Sequence, residues 1–113
     1  MPTNSEENKT QTMKLYAPAV ALKFINEKLK ISDLQLAESY GVSRTTLSRI
    51  KNGLKLTRSY HYYLGVFVDV LRDKRLVAER TRNHVMVQHI DYLLRDLILL
   101  HFEYLKTADR CLL

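Results

Sequence analysis

Arg44, Thr45, Ser48 and Arg49 stand at offsets that share one side of a helix. Leu47 and Ile50, in the same stretch, are apolar and should turn inward, which directs the four polar residues outward. Together they offer two guanidinium groups and two hydroxyls, a set suited to hydrogen-bonding base edges, since an arginine fork can donate to both O6 and N7 of guanine. Ser43, Lys51, Asn52, Lys55 and Arg58 lie at the ends of the same stretch or just beyond it, where contacts to phosphates are expected.

Enzyme chemistry lacks its parts. His84 and His89 are five residues apart and do not share a helix face, and His101 lies in an apolar stretch. No Ser/His/Asp or paired-carboxylate arrangement has a convincing spacing. The single cysteine, Cys111, cannot close an internal disulfide, and no Cys/His cluster has zinc spacing. Neither a catalytic residue nor a metal or cofactor is expected.

The charge distribution agrees with a polyanionic partner. The net charge is +6, and from Lys14 to Ser59 nine Lys and Arg stand against three Asp and Glu, whereas residues 60–113 carry eight against seven. Each phosphate that such residues neutralise releases condensed counterions. The first fifteen residues lack the apolar core of a signal peptide, and no run approaches the ~18 apolar residues of a membrane span. With its lone cysteine, the chain is expected in the cytoplasm.

At 113 residues the chain is the size of one domain, and only three Gly and two Pro interrupt it, which favours long helices. Residues 1–14 are polar and aperiodic and are expected to form a flexible arm. A first helix should start near Pro18 and run to about Lys30, with Val20, Ala21, Phe24 and Ile25 on its apolar face. Ser32 and Gln35 have the spacing of a capping box, predicting a second helix that ends at Tyr40 before Gly41. Ser43 can cap a third, which ends near Asn52 before Gly53. After a basic linker, a fourth helix is expected over 60–73, with Tyr60, Tyr62 and Tyr63 packing into the core. A turn near 79–83 should lead into a final helix over 83–106.

Between Asp33 and Asn52 the apolar and small residues fall at a specific set of offsets. Ala37 lets two helices cross closely, Gly41 permits a tight turn, and Val42, Leu47 and Ile50 anchor the following helix. The segment LAESYGVSRTTLSRIKNG, residues 36–53, resembles the helix-turn-helix of the phage repressor and Cro family of regulators, with its L-A-x-x-x-G-V-S-x-x-x-[IL]-S-x-[IL]-x-x-G pattern. The resemblance covers about residues 17–71. It implies a sequence-specific DNA-binding transcriptional regulator that inserts helix 43–52 into the major groove, with Arg44, Thr45 and Arg49 as readers. Two positions depart from the pattern. Asp33 stands where a Gln often begins the second helix, which argues against a phosphate contact there. Lys51 replaces a frequent Glu, making that end more basic. The expected architecture is all-α: a repressor-like bundle of about four helices in a DNA-binding domain of residues 15–73, plus a long helix in a C-terminal extension of residues 74–113.

Within that extension, Met86, Ile90, Leu93, Leu97, Leu100 and Tyr104 form a heptad-like seam, beside a second stripe of Val87, Leu94, Ile98, His101 and Leu105. The width suggests that one stripe packs on the chain itself while the seam joins two copies into a homodimer on a palindromic site. Alternatively, both stripes are core of one subunit. A further reading is an antitoxin or adaptor whose last helix binds another protein, the helix-turn-helix serving as scaffold.

Overall fold

A computed structural model describes the backbone of residues 17–53 and 60–112, and the side chains of 17–53 and 61–102. The described chain is all-helical: α1 (17–27), α2 (Asp33–Tyr40), α3 (Arg44–Lys51), α4 (Tyr60–Arg80) and α5 (His84–Leu112). The expected arm, the linker residues Lys55 and Arg58, and the side chains of Tyr60, Tyr104, Leu105 and Cys111 lie outside the described residues.

Short-range chemistry sets the ends of the first three helices. Pro18, fully buried, stands in the first turn of α1, where its missing N–H costs nothing. Leaving α1, the chain passes through Lys30 at φ 59°, a left-handed conformation unusual for a residue with a Cβ. α2 begins at the capping box: Gln35 N donates to Ser32 Oγ (3.1 Å) and Ser32 N donates to Gln35 Oε1 (2.8 Å). It stops at Gly41, φ 67°, whose N–H donates to Ala37 O (3.0 Å). Ser43 Oγ accepts from Thr46 N and caps α3.

Every helix contributes to one core. Leu22 and Ile25 of α1, Leu36 of α2, Leu47 and Ile50 of α3, Leu64, Phe67 and Leu71 of α4, and Ile90 and Leu97 of α5 are all sealed from solvent in a single cluster. Each such side chain contributes roughly 1.5–3 kcal/mol through burial. Two eight-residue helices such as α2 and α3 would not hold in water alone, so their place in the common core is what keeps them formed.

Three expectations are corrected. The fourth helix continues past 73 to Arg80, so a domain boundary at 73/74 falls inside α4. The stretch Lys74–Arg80 is made of good helix formers and offers no reason to stop. The break comes at Thr81-Arg82-Asn83, where Arg82 takes φ 56° while Asn83 N donates to Ala78 O and Arg82 N to Glu79 O. That is a Schellman ending with arginine in the place glycine usually fills. Asn83 Oδ1 then accepts from Met86 N to start α5, which runs to Leu112 rather than 106.

The third correction concerns the seam. Ile90, Leu93 and Leu97 are buried within the single chain, with Met86 and Leu100 packed against the same cluster. α5 folds back along α4, tied by Arg75 of α4 to Asp91 of α5 and to Glu79 on its own helix. Phe24 of α1 stacks on His89 at 4.5 Å between ring centroids. A surface already covered by its own chain cannot join two copies, so Ile90, Leu93 and Leu97 are subunit core and not a dimer interface, with Met86 and Leu100 at its edge; Tyr104 lies outside the described residues. Of the second stripe, Leu94 is buried as well, while Ile98 stays partly exposed.

Candidate nucleic-acid interface

α3 is held from behind. Leu47 and Ile50 retain 0% and 1% of their accessible surface, and their side of the helix rests on the common core. With that face fixed, Arg44, Thr45, Ser48 and Arg49 are all exposed on the opposite side, as the spacing predicts. Neither arginine has an ion pair or a hydrogen bond to another described residue, so both guanidinium groups are available to an incoming acceptor. This face presents ten N–H donors from two arginines in all, plus two hydroxyls that can donate or accept.

Two tyrosines of α4 grip the turn that leads into α3; Tyr63 packs into the core as expected, whereas Tyr62 does not and stays exposed over the turn. Tyr63 is buried, and its hydroxyl accepts from Ser43 N (3.1 Å); Tyr62 is half-exposed and donates its hydroxyl to Tyr40 O (2.7 Å). The two rings meet edge to face, 6.2 Å between centroids. The signal in the sequence is the amphipathic nature of tyrosine: a ring that packs leaves a hydroxyl that needs a partner, and the free backbone groups of Tyr40 and Ser43, on either side of the turn, supply one to each. Nearby, partial burial raises the Tyr40 phenol above its ordinary pKa, with Asp69 and Asp73 adding to the effect, so it stays protonated.

The expected phosphate contacts divide. Ser43 spends its Oγ lone pair on Thr46 N and its backbone N–H on Tyr63, leaving the hydroxyl proton to donate. Asn52 is exposed at the end of α3 with its backbone N–H already bonded to Ile50 and Ser48 carbonyls, so its amide side chain faces solvent. Lys55 and Arg58 fall outside the described residues. Lys51 is a correction: its ammonium donates to Asp33 Oδ2 and to Asn26 Oδ1 (3.2 Å), and the Lys51 and Asp33 side chains are only 30% and 18% exposed. Asn26 also donates to Asp33 Oδ1 (3.1 Å) and to Ile31 O (2.8 Å). The three residues form a closed brace joining α1, the start of α2 and the end of α3. Its physical reason is charge: an ammonium beside a half-buried carboxylate is neutralised there and has little left for a phosphate.

An open groove of about 480 Å³ runs beside this brace, lined by Lys30, Ser32, Leu34 and Arg44 as well as the brace residues. Lys30 is exposed on its rim and adds a cation, outside the motif, that shares the groove with Arg44. Among the described residues no group of His, Cys, Asp and Glu could hold a metal ion, and no helix is long and apolar enough to cross a membrane. No family model, curated protein or solved structure matches the chain, so what this face does must be read from its own geometry and chemistry.

Proposed function

We propose that the chain is a sequence-specific double-stranded DNA-binding transcriptional regulator, acting in the cytoplasm, that inserts α3 into the major groove. The observation that carries this reading is the two-sidedness of α3: Leu47 and Ile50 sealed at the back, and Arg44, Thr45, Ser48 and Arg49 together and exposed at the front. A rigidly backed helix that carries unpaired arginines, about 10–12 Å across with its side chains, fits a groove about 12 Å wide. The likeness of residues 36–53 to the repressor and Cro pattern supports the same reading. Arg44, Thr45, Ser48 and Arg49 then contact base edges, while Ser43 and Asn52, with Lys55 and Arg58 of the linker, contact phosphates.

Selection of bound sequences from a random duplex pool is the direct test. A defined consensus is expected, and Arg44→Ala and Arg49→Ala should each weaken binding to it by roughly 1–3 kcal/mol with the helical signal intact. Unchanged affinity in both variants would remove the groove assignment. The competing reading, an antitoxin or adaptor, draws on the exposed apolar side chains of α5, among them Tyr92 and Leu99. It requires DNA affinity to be absent or insensitive to salt.

A further inference from the structure

The buried seam turns the opposite side of α5 away from the core. Val85, Tyr92 and Leu99, seven residues apart, are 77%, 73% and 57% exposed. Seven residues fall short of two full helical turns by only about 20°, so the three side chains form one ridge. Its length is about 21 Å, from fourteen residues at 1.5 Å rise. Arg95 and Asp96 flank it: at about 100° per residue, Arg95 lies roughly 50° to one side of the ridge line and Asp96 roughly 50° to the other. Both are exposed, and neither pairs with a charge among the described residues.

We propose that this ridge joins two copies of the chain, their α5 helices side by side and parallel. The argument is one of symmetry and sign. A two-fold axis parallel to α5 brings each ridge residue against its own counterpart at the same height, and sets the left flank of one helix against the right flank of the other. Arg95 of each copy then faces Asp96 of the second, giving two ion pairs from one pair of neighbours in sequence. An antiparallel two-fold brings like flank to like flank, so that Arg95 and Asp96 would lie on opposite sides of the contact and could not pair across it. A heptad line with opposite charges on its two flanks therefore matches a parallel copy of itself, a coincidence that an unrelated partner does not require. One helix pair is at the small end of interface sizes, so a dissociation constant on the order of micromolar is expected. The inference is independent of the DNA reading, because it concerns a surface remote from α3 in the sequence and is tested without nucleic acid.

Sedimentation equilibrium of the full chain, over roughly two decades of concentration about the micromolar range, should show a reversible monomer–dimer equilibrium. Tyr92→Glu combined with Leu99→Glu should abolish the dimer and leave the thermal melt of the dilute protein unmoved, because both side chains are exposed in the single chain. Arg95→Asp should weaken association roughly tenfold, and adding Asp96→Arg should restore it, since the swapped pair is complementary again. These two substitutions change surface charge alone and keep the test valid if the apolar replacements disturb folding. A wild-type chain that stays monomeric throughout would overturn the proposal and leave the ridge to a different occupant. A dimer indifferent to Tyr92 and Leu99, or a swap that fails to restore association, would overturn it equally.

Discussion

Replacing Lys51 by Met distinguishes a brace from a DNA contact, because the two roles predict opposite results in two assays. Methionine keeps most of the aliphatic stem and removes the ammonium. In the structure that ammonium is held by Asp33 and Asn26, so the substitution breaks one ion pair and one hydrogen bond at a part-buried site. The ion pair contributes about 0.2–1 kcal/mol at such exposure, and the hydrogen bond about 1 kcal/mol. Asn26 Nδ2 still donates to Asp33 Oδ1 and Ile31 O, whereas Asn26 Oδ1 and Asp33 Oδ2 lose their donor and must turn to water from the open groove beside them. The expected loss of stability is therefore about 1–2 kcal/mol, read from a urea titration. In a double-mutant cycle with Asp33→Ala, most of the ion-pair share should appear as coupling. For DNA binding, a cation already neutralised by Asp33 releases no counterion, so the slope of log K against log salt should not change. A true phosphate contact would lower that slope by about 0.9. A slope reduced by that amount, with the melt unmoved, would show that Lys51 leaves Asp33 for the DNA and would refute the brace.

Leu47→Ala removes a side chain with no exposed surface from the back of α3 and should cost about 2–5 kcal/mol, seen as a lowered unfolding midpoint; an unmoved midpoint would mean that the helix is out of phase. Arg82→Gly relieves a left-handed residue that costs about 1–2 kcal/mol, against glycine's loss of about 0.5–1 kcal/mol in chain entropy. A net gain of roughly 0.5–1 kcal/mol, a rise of about 2–4 °C in Tm, is expected. A fall in Tm would show that the arginine side chain contributes more than its backbone costs.

What could be read from the sequence was local. The Ser32–Gln35 box, the left-handed Gly41 and the phase of α3 each depend on residues within a turn or two of one another, and each is found where spacing placed it. The break between α4 and α5 was harder to place, because it is made by an arginine in a conformation that composition does not announce. The Asn26–Asp33–Lys51 brace spans up to 25 residues, and only the fold brings its members together. Side-chain periodicity on α5 marked Ile90, Leu93, Leu94 and Leu97 as inward-facing but did not give their partner. Whether Ile90 and Leu97 meet their own chain or a second copy is decided by the hairpin at 81–83, which turns them onto α4. The ridge of Val85, Tyr92 and Leu99 was hidden for the same reason: a helix apolar around most of its circumference does not say which side faces out.

The grip of Tyr62 and Tyr63 on the turn before α3 has a thermodynamic consequence. The backbone of Tyr40 and Ser43 is fixed by hydroxyls from a separate helix before any nucleic acid arrives. On the DNA-binding function proposed above, the helix that enters the groove is thus assembled in advance, and its conformational entropy is lost during folding, not during association. Binding should then behave as the docking of rigid surfaces: its heat-capacity change should match the apolar area of the interface itself, without the larger negative contribution that accompanies a segment folding on its target.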